Sequence, residues 1–361
     1  VILTIIAFIL VLGILIIAHE SGHFVAAKLS KIKVLEFAVG FPPRLLSFRK
    51  KETKYTIGAL PLGGYVKMLG EEDVSQDPRS FGRAKPWKRL MVSIAGVIMN
   101  VVLAWIILTI GFAVGMSSIA TDPASIPGKV LKSEVVLAGI EKDSAAEKAD
   151  LKAGDILESG SINGAVTKFL TSAQFDAYSS QNVGKTVGLV VKRDNNELTK
   201  TITFSGQKDE ALGVAIADNT VIRVVWYRAP IVALRETYSI LKVTAQFFQD
   251  FVHTIFKTGK VSQNVGGPVA IYVYTGMAVK AGWMIFIQYV ALLSINLAFI
   301  NILPFPALDG GRALFIILES IFRRRVVKEE IENIIHFAGF IVLMLLVILI
   351  TYRDVIHYII H

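Results

Sequence analysis

The sequence predicts a polytopic α-helical membrane protein: four transmembrane helices, a membrane-associated β-hairpin or small sheet, and an inserted α+β domain. Three observations carry this. The 361 residues are 53% hydrophobic with a mean hydropathy of +0.57, too apolar for a soluble chain of this size, yet 19% are charged, too many for membrane spans alone. Apolar runs long enough to cross a bilayer occur four times. Between the second and third, residues 122–228 carry frequent and nearly balanced charge, thirteen basic residues against fourteen acidic.

The first run, Val1 to Ala27, reads VILTIIAFILVLGILIIAHESGHFVAA, and its first eighteen residues are uncharged. It lacks a basic leader and is too long for a cleavable signal, so a retained span is expected. Near its end stand His19, Glu20 and His23. A helix puts His19 and His23 on one face, the H-E-x-x-H spacing of two zinc ligands with a glutamate as general base. Chance would produce that pattern in roughly one chain of this length in a hundred. Ionisable groups inside a span are costly and usually functional, which argues against chance here.

Residues 28–89 hold fourteen Lys/Arg against six Asp/Glu. The positive-inside rule makes this loop cytoplasmic, and with it the His19–His23 end of the first span. Within it, Lys54 to Met68 mixes β-formers with Gly58, Pro61, Gly63 and Gly64, as short strands or a hairpin do. Glu71 to Arg89 reads as irregular. The second span lies in Leu90 to Thr121, where Gly96 and Asn100 share a face suited to close helix packing or to a role at the site.

In the insert, Thr186 to Lys192 and Leu198 to Phe204 alternate as strands around an Asn195-Asn196 turn. Ile231 to Phe256 is an amphipathic helix whose stripe runs Ile231, Leu234, Tyr238, Leu241, Ala245, Phe248, Val252 and Ile255, lying on the membrane or packed on the insert. Gln263 to Pro268 reads as a loop. The third span starts near Trp283 and is broken around Asp309 by Pro304, Pro306, Gly310 and Gly311. Arg323, Arg324, Arg325 and Lys328 form a second basic loop before the fourth span, Ile334 to Tyr352. The expected divisions are 1–121, 122–222, 223–282 and 283–361.

No cysteine is present, so disulfides are excluded and zinc must use His and carboxylate. A catalytic zinc commonly has three protein ligands and an open position. Asp309 is the one acid in the third span, and the second and fourth offer none. The expected centre is one Zn2+ on His19, His23 and Asp309, with Glu20 taking a proton from water and handing it to a leaving amine. Unwinding a helix in lipid exposes backbone polar groups that need new partners. The Lys54–Met68 edge, with Gly63, Gly64 and Tyr65, is expected to bind an extended substrate by β-augmentation. Pro304, Pro306 and Gly310 support the break, as Gly96 and Asn100 support the packing. The net charge of +9 concentrates beside the spans, and no nucleic-acid motif or internal repeat appears.

HESGH, GVIMN, VGGPVAI, NILPFPALDGG and the insert segment DSAAEKADLKAGDIL together resemble the site-2 proteases, intramembrane zinc metalloproteases, across nearly the whole chain. The resemblance is to bacterial enzymes of the RseP type. It implies Asp309 as third ligand, Glu20 as catalytic glutamate, and Asn296 and Asn301 at the substrate backbone. It also implies one PDZ-like domain, outside the cytoplasm and able to take a regulator, and an inner-membrane location. The implied substrates are single-pass membrane proteins of the anti-sigma-factor or remnant-signal-peptide type. A metal transporter or a non-catalytic PDZ membrane adaptor are the rival readings. A transporter usually shows inverted repeats, and a structural zinc a fourth ligand.

Overall fold

The computed structural model describes residues 1–71, 75–141, 144–193, 196–204, 212–258, 266–324, 327 and 329–356. Asp143, Asn195, Gln263, Asn264, Val265, Arg325 and Lys328, which figure in the expectations above, lie outside the described residues. The chain forms two compact units, residues 1–111 with 230–361, and residues 112–229.

The first unit opens with α1 (Ile2–Leu29). Two long strands follow, β1 (Val34–Lys50) and β2 (Thr53–Met68), paired antiparallel. The hairpin partner of the Lys54–Met68 stretch is thus the segment before it, not part of the stretch itself. Both strands fold back on themselves. Glu36 to Val39 pairs with Gly64 to Lys67 on one side and with Lys54 to Ile57 on the other, while Arg44 to Lys50 pairs with Thr53 to Gly58. Gly40 provides the bend in β1 at φ +85, where its missing Cβ also admits the Gly58 and Leu60 carbonyls. The segment Gly64 to Lys67 is left at one edge, and among the described residues no further strand pairs with it.

The hairpin is fixed to α1 by apolar packing. Phe24 meets Phe37 edge to face at 5.4 Å, and Ala26, Ala27, Val34, Val66, Met68 and Val92 share one buried cluster. The polar stretch is irregular from Ser75 to Lys85, and α2 (Pro86–Val114) takes up its last four residues. Pro86 suits a first helical position because its missing N–H would be unpaired there anyway.

Among its described residues, the second unit holds an antiparallel seven-stranded sheet. Its elements are β3 (Met116–Ser117), β4 (Lys129–Ile140), α3 (Ala145–Lys148), β5 (Ile156–Ile162), β6 (Ala165–Lys168), α4 (Ser172–Gln181), β7 (Thr186–Arg193), β8 (Asn196–Thr203) and β9 (Val214–Arg223). Strand order is β3-β9-β4-β5-β7-β8, with β6 beside β5. Alternation is plain in β7, where Val187, Leu189 and Val191 are buried. They join Leu137, Leu157, Phe175 and Phe204 in the core. Buried Asp155 accepts a two-pronged bond from Arg193, Nε to Oδ1 at 2.6 Å and Nη2 to Oδ2 at 2.7 Å.

The chain re-enters the first unit through α5 (Ala229–Thr258), followed by α6 (Pro268–Ala281), α7 (Trp283–Ile302), α8 (Asp309–Phe322) and α9 (Glu329–Val355). Helix α5 buries a different face from the stripe read in sequence. Val232, Ala233, Glu236 and Ile240 are buried, whereas Ile231, Leu234 and Tyr238 are exposed. Outside water, an exposed apolar stripe can face lipid as readily as a core, so periodicity alone could not say which face packs. Helix α6 was not anticipated. Gly267 and Ala270 donate their N–H groups to Asp354 Oδ2 of α9, which caps its start. Helices α1, α2, α7 and α9 are long and apolar enough to cross a membrane, and the architecture is that of a membrane protein carrying a sheet domain.

Candidate metal centre

The i, i+4 spacing on α1 brings His19 and His23 together, with Nε2 atoms 3.2 Å apart. Asp309, the first residue of α8, places Oδ2 3.1 Å from His19 Nε2 and 3.3 Å from His23 Nε2. Two sequence-distant glycines permit the approach of α2. A Cβ on Gly22 would lie 2.2 Å from the Ala95 carbonyl oxygen, so α1 and α2 touch backbone to backbone. A Cβ on Gly96 would lie 2.4 Å from His23 Nε2 and 2.8 Å from His19 Nε2. The outer nitrogens are held as well: His23 Nδ1 is 2.7 Å from the Val92 carbonyl oxygen, and His19 Nδ1 is 3.1 Å from the amide of Asn100, which is fully buried.

Asp309 reaches this place because the third apolar run stops at Ile302 and restarts seven residues later. Gly310 and Gly311 are obligatory in the restart, since a Cβ would lie 2.2 Å from the Ile302 carbonyl oxygen in one case and 2.3 Å from that of Phe305 in the other. Helix α9 braces the turn. Gly339 admits Pro306, and the Ala307 N–H donates to His336 Nδ1 at 2.9 Å.

Glu20 is buried and lines a cavity of about 310 Å³ shared with both histidines, Asp309, Gly64 and Tyr65. Gly64 packs on it, for a Cβ there would lie 2.8 Å from Glu20 Cγ. The edge of the hairpin is therefore the strand beside the three ligand groups. Gly63 is next to it and packs under the Phe41 ring. Asn296 and Asn301 are not among the cavity-lining residues; Asn296 Oδ1 accepts from Thr244 Oγ1 of α5 at 3.0 Å.

Three ionisable lining residues were not anticipated: Glu71, Arg312 and His336. Glu71 accepts from the Met68 N–H at 3.1 Å and pairs with Arg312, one turn after Asp309, so it ties the end of the edge strand to the Asp309 helix. His336 had a signal: it is a lone imidazole in an otherwise apolar run.

The donor set fits a zinc ion. Bonds of about 2.0–2.1 Å in tetrahedral array put ligand atoms about 3.3 Å apart, and the three separations here are 3.1, 3.2 and 3.3 Å. Asp309 Oδ2 is also buried without a hydrogen-bond partner, as an acceptor facing imidazole lone pairs would be. Among the described residues these three form the group able to hold a metal. That leaves a position open, the arrangement of catalytic rather than structural zinc.

A family model for peptidase family M50 matches residues 7–346. The chain belongs to this family, the site-2 proteases. A candidate zinc metalloprotease of Clostridium acetobutylicum is 34% identical over 353 residues, covering 97% of this chain and 96% of its own. The regulator of sigma-W protease RasP of Bacillus subtilis is 30% identical, with 98% of each chain covered, and the zinc metalloprotease RasP of Bacillus licheniformis is likewise 30% identical with 98% of each covered.

Proposed function

We propose that this chain is an intramembrane zinc metalloprotease that cleaves transmembrane segments of single-pass membrane proteins, of the anti-sigma-factor or remnant-signal-peptide type. The observation that carries the reading is the convergence of His19, His23 and Asp309 at tetrahedral spacing, in one cavity with Glu20 and a strand edge. The sigma-W protease name of one relative supports the substrate class.

His19, His23 and Asp309 would hold the ion, which would supply a water of pKa about 7 and Lewis acidity toward a peptide carbonyl. Glu20, buried beside these three residues, takes the proton from the attacking water and delivers it to the leaving amine. A peptide bond in a helix has its carbonyl hydrogen-bonded and shielded, so the substrate must be extended first. The edge at Gly63, Gly64 and Tyr65 supplies main-chain partners for that extended segment. Asn296 and Asn301 act on the substrate backbone from α7. Asn296 Oδ1 is taken by Thr244, so its N–H groups are the ones offered.

The basic residues after α1 and after α8 support a reading in which the metal end faces the cytoplasmic side of a bacterial inner membrane and residues 122–222 lie outside the cytoplasm. Those residues form a PDZ-like domain, suited to a regulator or an extended peptide end. The test is Glu20→Gln in the full chain. Zinc content should match wild type while cleavage of a single-pass substrate disappears. A transporter or an adaptor would be indifferent to the change, and retained cleavage would end the proposal.

A further inference from the structure

A histidine that offers Nε2 to a metal must carry its proton on Nδ1, and that N–H needs an acceptor. For His23 the acceptor is plain: the Val92 carbonyl oxygen at 2.7 Å, which has no proton to give. For His19 the neighbour at 3.1 Å is the Asn100 side-chain amide, and an amide has two faces. With the N–H2 toward His19, two costs arise together. The imidazole proton is driven onto Nε2, the nitrogen whose lone pair a metal needs. Asn100 Oδ1 is then a fully buried acceptor without a donor. With Oδ1 toward His19, the oxygen accepts from Nδ1–H and the Nε2 lone pair points at the other two ligand groups.

We infer that Asn100 is a positioning residue whose side-chain oxygen fixes the metal-binding tautomer and ring orientation of His19. This rests on the proposed zinc site. The surroundings give Asn100 the rigidity the task needs. Its side chain is fully buried, and its own carbonyl accepts from Ser294 Oγ of α7 at 2.8 Å, which pins this turn of α2. Gly96, one turn earlier, places α2 against both imidazoles. Thus α2 contributes no ligand, yet it supplies the acceptor for each histidine, from Val92 by main chain and from Asn100 by side chain.

The test compares Asn100→Leu, which keeps the branched shape but has no acceptor, with Asn100→Asp, which keeps the acceptor, and with Asn100→Ala should the leucine variant not fold. The full chain is purified in detergent, and zinc affinity is read by competition with a chelator. The visible spectrum of the cobalt-substituted protein and the unfolding temperature of each metal-free protein are read alongside. Loss of the acceptor should weaken zinc about 10- to 100-fold and alter the cobalt bands, with metal-free unfolding temperatures close to wild type. Asn100→Asp should bind zinc at least as tightly as wild type and keep the bands. Wild-type zinc affinity in the leucine or alanine variant would overturn the inference, as would equal losses in the acceptor-free and aspartate variants. A wild-type chain that bound no zinc would instead overturn the proposed function itself.

Discussion

Gly96→Ala is a one-methyl perturbation aimed at the metal. The added carbon would lie 2.4 Å from His23 Nε2, 2.6 Å from His19 Cε1 and 2.8 Å from His19 Nε2. Ordinary contact begins near 3.4 Å, so the overlap with His23 is about 1.0 Å. Ligand distances in a zinc site tolerate about 0.2 Å, and a displacement several times larger breaks the array. Lesser changes around a ligand cost 10- to 100-fold in affinity, so zinc should bind at least about 100-fold more weakly, or about 2.8 kcal/mol. Overpacking costs roughly 1–3 kcal/mol in addition, partly offset by the roughly 1 kcal/mol that alanine gains over glycine in a helix. Gly13→Ala on α1 is the control: nothing lies within 4 Å of its Cβ position, so zinc binding should be unchanged. Zinc retained per protein after dialysis against a graded chelator series measures both variants. If Gly96→Ala held zinc within threefold of wild type, α2 would not be packed on the ligand nitrogens and the site as described would be wrong.

Asp309→Asn should lower zinc content sharply; stoichiometric, tightly held zinc in that variant would remove Asp309 from the centre. Asn296→Ala and Asn301→Ala should keep zinc and fold but lose cleavage of stable helical substrates most, with substrates carrying helix breakers near the cut affected less; an equal loss on both would refute a role in holding unwound backbone. In the sheet unit, Arg193→Leu strands the buried Asp155 carboxylate, whose side chain is 1% exposed. Breaking such a pair costs about 3–5 kcal/mol, which should lower the unfolding temperature of that unit by on the order of 10 °C.

The apolar helices and the histidine pair were legible because each is encoded locally: a run without charge, and two imidazoles one turn apart. Asp309 was legible by its isolation in an apolar run. The hairpin was legible only in part. Lys54–Met68 showed its β-formers, but β1 runs through Pro42, Pro43 and a cluster of Arg and Lys that mask its alternation. Helix α6 was obscured because Gly266, Gly267 and Pro268 read as a loop, whereas here Pro268 opens the helix and Asp354, eighty-six residues later, caps it. The α5 stripe was legible as an apolar face, but not what covers it. Hydrophobic periodicity finds an apolar face, but in a membrane protein the packed face and the lipid face are both apolar, and α5 buries Ala229, Ala233 and Glu236 instead. Glu71 and Arg312 gave no sequence signal at all, since their pairing spans 241 residues.

The break that carries Asp309 shows why such a site can exist between apolar helices. Backbone N–H groups outside a helix must find partners where water is scarce. Between α7 and α8 the segment runs Leu303, Pro304, Phe305, Pro306, Ala307, Leu308. Two of the six residues are prolines and have no N–H to satisfy. Leu303 donates to the Ile300 carbonyl at 3.1 Å, Phe305 to that of Leu303 at 2.7 Å, and Leu308 to that of Phe305 at 3.1 Å. The remaining donor, Ala307, sits at φ +77 and gives its proton to His336 Nδ1. Every N–H of the break is thus accounted for, three within the segment's own turns and one by α9. Prolines that look like helix breakers in the sequence serve here by removing donors. The one donor that local turns leave over is met by the single imidazole of the last span. The position of the third ligand therefore depends on α9, which touches it through Pro306 and Ala307 rather than through the carboxylate itself.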